Sequence, residues 1–162
     1  MAFELDSKRG VMIHYGVRTT DQKFGGNVCD EIVKFAAWTF NYNDLPVSGT
    51  SNMQMSIPAG ARILRAELEI ITAFTSTSTT TDLTVGLSTA AGGVISADGL
   101  ILATEATQTT IATVGNVIVG ATGGLLNKTI GTTAGEVVVA ASAADLLTGR
   151  ARLIVEYLIA GI

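Results

Sequence analysis

The sequence predicts an all-β chain: an antiparallel β-sandwich, jelly-roll-like, with an extended N-terminal arm. Two observations carry this. Short runs in which apolar and polar residues alternate recur along the chain, separated by clusters of Gly, Thr, Asn and Asp, and sustained helical periodicity is nearly absent. A closed barrel satisfies the same periodicity. At 162 residues the chain has room for a single core. Apolar residues make up 48% and charged residues 15%, so it buries a core and is not a disordered tail.

Charge density sets the first boundary. Residues 1–44 hold 11 of the 24 charged side chains, and from Ala106 to Gly135 the only charge is Lys128. Residues 1–33 mix signs with glycines and keep no period of 2 or 3.6, so they read as an arm, with a short edge strand over Val11–Val17 as the alternative. Residues 34–162 form the sandwich. Trp38, Phe40 and Tyr42 alternate with polar or small residues and are expected to face the core until Asn43-Asp44-Leu45-Pro46 turns the chain. Met53, Met55 and Ile57 predict the next strand, stopped by Pro58-Ala59-Gly60. Then Leu64, Ala66, Leu68, Ile70 and Phe74 share one face while Arg65, Glu67 and Glu69 share the other, the pattern of a half-buried strand.

The run Thr75–Thr81 is a polar loop. Leu83, Val85 and Leu87 follow as a strand, Ala90–Gly93 as a turn, and Leu100–Ala103 as a single helical turn. Further strands are expected over Val117–Val119, Asn127–Gly131, Val137–Ala141 and Ala151–Tyr157, the last placing Ala151, Leu153, Val155 and Tyr157 inside and Arg152 and Glu156 outside. Ser142–Thr148 connects the final two.

Composition removes several function classes. A net charge of -4 and a pI near 4.8 oppose a broad basic face, so no nucleic-acid partner is expected. One Cys and one His exclude a disulfide framework, a Cys-rich zinc site and any mechanism that needs two imidazoles. The first nine residues lack the basic start and apolar run of a signal peptide, and no apolar stretch has the length of a membrane helix, so synthesis in the cytoplasm without a membrane partner is expected.

The remaining candidates for chemistry are sparse. His14 and Cys29 could pair as base and nucleophile, but no local signature or oxyanion hole accompanies them. Neither Gly-x-Ser-x-Gly nor His-Glu-x-x-His occurs. Gly115–Gly124 lacks the Lys-Ser/Thr ending of a phosphate loop and reads as turn and bulge glycines. Glu67 and Glu69 stand two apart on a strand face, a spacing open to glycosidase chemistry but more simply a solvated face paired across strands. Asn127-Lys128-Thr129 matches a glycosylation acceptor with no secretory route to use it. No enzyme activity, catalytic residue, metal or cofactor is expected. Glycan binding, the reading from another class, needs exposed aromatic platforms, whereas Trp38, Phe40 and Tyr42 follow the core-facing alternation.

The segments Trp38–Pro46, Ser56–Ile63, Asp82–Leu87, Ala97–Leu100 and Ala151–Tyr157 together resemble small jelly-roll structural proteins of tailed-phage particles, above all the capsid decoration, or cement, proteins. The likeness spans residues 36–160. It implies a virion structural protein on the outer capsid surface, a homotrimer that bridges neighbouring copies of the major capsid protein. A tail, neck or fibre-base component is the rival within the structural class.

Overall fold

A computed structural model describes residues 4–7, 10–13, 33–45, 49–78, 80–142 and 146–159, with side chains described from residue 33 onward except 49–54. β1 (Glu4–Ser7) and β2 (Gly10–Ile13) form an antiparallel hairpin with Glu4 opposite Ile13. Eight further strands follow: β3 (Val33–Asn41), β4 (Gly49–Ile57), β5 (Ala61–Ser76), β6 (Leu83–Ser88), β7 (Val94–Ile101), β8 (Val117–Val119), β9 (Gly135–Ala141) and β10 (Leu146–Ile159). They build two four-stranded sheets, ordered β3-β10-β5-β8 and β4-β9-β6-β7, and every neighbouring pair is antiparallel. The first and last of the eight strands lie side by side and successive strands alternate between sheets early and late in the chain, which is the double Greek-key wrapping of a jelly roll.

Alternation accounts for most of the core. On β10, Ala151, Leu153, Val155 and Tyr157 are buried, while Arg152 is exposed and Glu156 half-buried on the opposite face. On β5 the buried set starts on odd positions, Ala61 and Ile63, and continues on even ones, Ala66, Leu68, Ile70 and Phe74. The phase changes where the pairing with β10 slips between Glu156 and Tyr157. A bulge gives one strand an extra residue and flips the side-chain parity beyond it, which leaves Leu64 only half-buried rather than in the core as its spacing predicts. β6 contributes Leu83, Val85 and Leu87 and β9 Val137 and Val139, all sealed. Phe40 of β3 packs on Phe74 of β5 along the inner face of the same sheet, with ring centroids 6.2 Å apart and planes tilted by 41°, within the favourable range for aromatic pairs.

Four sequence expectations need correction. Of the three aromatics assigned to the core, only Phe40 is sealed. Trp38 is 36% exposed although its register partner, Leu153, is buried, because β3 is an outer strand with a neighbour on one side only. Tyr42 is 38% exposed: the chain has left the strand for a 3-10 turn, Tyr42–Asp44, in which the Asn41 N–H donates to Asp44 Oδ2 at 2.8 Å. Leu100 and Ile101 finish β7 instead of opening a helix, and a short helix, α1 (Gln108–Ile111), starts where the Gln108 N–H donates to Asp82 Oδ1 at 3.1 Å. Asn127–Gly131 is reduced from a strand to a single antiparallel bridge, Thr129 opposite Arg62 of β5, flanked by the Ile63 N–H donating to the Lys128 carbonyl and the Ile130 N–H to the Ala61 carbonyl, because Asn127, at a left-handed φ of 59°, is still part of the preceding turn.

Candidate functional site

The outer face of the β3-β10-β5-β8 sheet carries both ion pairs found among the described residues. The strand registers arrange it in rows: Phe35, Glu156 and Arg65; then Ala37, Ile154, Glu67 and Val119; then Thr39, Arg152, Glu69 and Val117; and finally Asn41, Arg150 and Thr72. Charges occupy the middle. Arg65 pairs with Glu67 along β5, and Arg152 reaches across from β10 to Glu69 at 2.6 Å. Apolar side chains stand at both margins, Phe35 at 65% exposure on β3 and Val117 and Val119 on β8. Glu67 and Glu69 thus have guanidinium partners on an open sheet face, which is the solvated, paired arrangement and not a cleft in which two carboxylates flank a substrate.

At the end of this face lies a shallow depression of about 400 Å³. Its wall is the row Asn41, Arg150 and Thr72, continued by Tyr42 and Asn43 of the 3-10 turn and by Thr148. The pairing of β10 with β5 slips on both sides of Arg150, so bulges re-aim the side chains at this spot. Gly149, at φ 138°, lets the backbone pass directly over Phe74: a Cβ there would stand 2.1 Å from the ring. A second, smaller hollow of about 160 Å³, lined by Leu87, Thr89, Val94 and Val138, lies by the β6–β7 turn.

Glu105 is a polar residue that sequence reading passes over. Its carboxylate accepts from the N–H groups of Leu102 (3.0 Å), Ala121 and Thr122 (both 2.9 Å) and from the Thr122 hydroxyl (3.0 Å). Partial burial pushes its pKa up, but the hydrogen bonds from Leu102, Ala121 and Thr122 outweigh that and hold it below the usual carboxylate range. It ties the turn after β7 to the loop after β8. The same loop lies so close to β7 that a Cβ on Gly120 would fall 2.0 Å from the Leu100 carbonyl oxygen, so the glycines of this stretch serve backbone packing. Nothing in the spacing of Glu105 marks this role, because its partners are backbone groups brought together only by the fold.

His14 and Cys29 lie outside the described residues. Among the described residues no three acidic, His or Cys side chains are grouped to hold a metal ion, and no helix is long and apolar enough to cross a membrane.

No family model and no curated protein matches the chain. Solved structures do. This fold recurs in phage capsids. A chain of the cyanophage Pam1 capsid asymmetric unit superposes with a TM-score of 0.60 at 21% identity, over 85% of this chain and 91% of that one. A chain of the Ralstonia phage GP4 capsid gives 0.57 at 18% identity, over 86% and 92%. A chain of the acid-stable capsid of Helicobacter pylori bacteriophage KHP30 gives 0.55 at 18%, over 80% and 90%. At these identities the likeness is one of fold.

Proposed function

We propose that this chain is a non-enzymatic structural protein of a phage virion, and specifically a decoration, or cement, protein that binds the outside of the head and bridges copies of the major capsid protein. The observation that carries the reading is whole-length likeness: chains drawn from three phage capsids are each covered over nine-tenths of their own length or more.

The physical role is stabilisation by mass action. A protein that binds only the assembled shell raises the free energy needed to disrupt it. The charged rows of the β3-β10-β5-β8 face suit such contact, since mixed-sign pairs orient a partner while apolar margins supply the area that excludes water. Assembly as a homotrimer triples each contact, and the segment 1–33, acting as an arm, adds a further attachment by multivalency.

Cosedimentation of the purified protein with empty expanded heads tests the reading. Saturable binding that raises the head's melting temperature is expected, with a solution mass of three chains. Removal of residues 1–33 should leave the sandwich folded and weaken attachment. Binding to tails and not to heads would assign the chain to the tail or neck instead.

A further inference from the structure

We propose that the depression bounded by Tyr42, Asn43, Thr72, Thr148 and Arg150 is a saccharide-binding site, a function separate from shell attachment and not dependent on it. A sugar ring has two kinds of surface, a C–H face that packs on an aromatic ring and a rim of hydroxyls that both donate and accept. A site for it needs an exposed aromatic beside uncommitted polar groups of both types.

The depression supplies each. Tyr42 contributes nothing sealed to the core and stands 38% exposed, which leaves its ring available as a platform with the phenol at its edge. The Asn43 amide offers donors and an acceptor, the Thr72 hydroxyl both, and the Arg150 guanidinium a planar fork of donors suited to two adjacent hydroxyls. None of these three side chains is engaged by another described residue, while Asp44, the last residue of the turn, already accepts from the Asn41 N–H. Thr148 is half-committed: its single proton goes to the Ala73 carbonyl at 3.0 Å and it accepts from Thr75 at 2.7 Å, so one lone pair of its oxygen faces outward.

Size and charge narrow the class. About 400 Å³ lies in the lower part of the range for small-molecule sites. Among the described residues Arg150 is the only cation on the wall, too little for a phosphorylated ligand but compatible with a neutral hexose or a uronic acid. The bulges beside Arg150 belong to β10 and β5, so the readers project from sheet strands, with only Tyr42 and Asn43 on a turn. The backbone of such a site is set by the sheet, while the unanchored Arg150 and Asn43 side chains are ordered only on binding, which keeps the affinity modest.

The test is a ligand-observed and protein-observed NMR titration of the full chain, free of heads, with the methyl glycosides of glucose, galactose, mannose, rhamnose, N-acetylglucosamine and galacturonic acid. Saturable binding of at least one is expected, with shifts at Tyr42 and Thr72. Tyr42→Ala should weaken it by about tenfold, and Tyr42→Phe should retain most of it. Thr72→Arg fills the depression from an exposed strand position without touching the turn and should abolish binding even if Tyr42→Ala fails to fold. Trp38→Ala should leave binding unchanged. No saturable binding by any of the six, survival of binding in Thr72→Arg, or loss in Trp38→Ala with retention in Tyr42→Ala would each overturn the proposal. Head cosedimentation of the unaltered chain reads shell attachment alone, so the two proposals fail separately.

Discussion

Gly149 joins the core to the surface depression, and Gly149→Ala tests both at once. Two costs add. At φ 138° the backbone sits in the half of conformational space that L side chains avoid, a strain of about 1–3 kcal/mol. The new Cβ would also meet Phe74 Cδ1 at 2.1 Å, with Cγ and Cε1 within 2.5 Å. The ring cannot yield freely, because it is fully buried and packed on Phe40, and overpacking of this kind costs about 1–3 kcal/mol. The expected loss is therefore about 2–6 kcal/mol, a large share of the roughly 5–15 kcal/mol that holds a domain folded. Gly124→Ala is the control, since nothing lies within 4 Å of the added atom, and it should stay within about 0.5 kcal/mol. Urea denaturation with the slope held constant measures both. Combining Gly149→Ala with Phe74→Leu should recover part of the loss, because Leu leaves room where the ring stood. Equal midpoints for Gly149→Ala and Gly124→Ala would refute the packing argument.

Three further outcomes are expected. Phe40→Ala should cost about 3–5 kcal/mol in the same denaturation assay, and a near-neutral result would mean that β3 presents its other face to the core. Glu105→Gln keeps the size but gives up the charge that four donors address, so it should cost about 1–3 kcal/mol at neutral pH. Because the folded carboxyl lies below its ordinary pKa of about 4.3, the unfolded chain binds more protons in that window and stability rises with pH through it. The gap between Glu105 and its Gln variant should accordingly be complete above the ordinary pKa and shrink as the pH falls through the lower folded value; a gap that ignores pH from 7 to 3 would remove the charge from the explanation. Arg152→Ala, at a half-exposed pair, should shift the unfolding free energy by less than about 1 kcal/mol, and a larger loss would give the surface pair a structural weight denied to it here.

Sequence alone fixes most of the sandwich because period-two alternation needs only neighbours in the chain. Ala151, Leu153, Val155 and Tyr157 were assignable to the core, and are buried, since every second side chain of a regular strand meets the same face. The errors fall where regularity is broken by something distant or by a side chain answering the backbone. Leu64 left the core at a slip in pairing with β10, which no local spacing announces. Tyr42 left it because the Asp44 carboxylate captured the Asn41 N–H, converting an extended residue into a turn. Trp38 kept its register and still stayed partly open, since exposure on an outer strand depends on what covers it and not on parity. The depression was invisible for the same reason: Asn41, Arg150 and Thr72 are adjacent only through the registers of three strands. Its aromatic, Tyr42, carries the core-facing alternation in the sequence, so spacing alone argues against a glycan platform there.

The distribution of charge has a further consequence for attachment to a shell. The chain as a whole carries -4, so copies crowded on one surface repel one another at long range. On the outer face of the β3-β10-β5-β8 sheet, however, Arg62, Arg65, Arg150 and Arg152 interleave with Glu67, Glu69 and Glu156, and Arg65–Glu67 and Arg152–Glu69 are ion pairs. Where its charges are paired, as at Arg65–Glu67 and Arg152–Glu69, such a face can be brought against a partner without leaving a lone ion in a dehydrated contact, the most costly outcome of burying charge. Its attraction is also confined to short range, because opposite charges within a few ångströms cancel beyond a Debye length of about 8 Å. Contact through this face would then depend on shape and row alignment and only weakly on salt, whereas long-range steering would come from the net negative charge elsewhere. On the proposed role, low overall charge and a face of interleaved signs would suit the placing of many copies of the same acidic chain side by side.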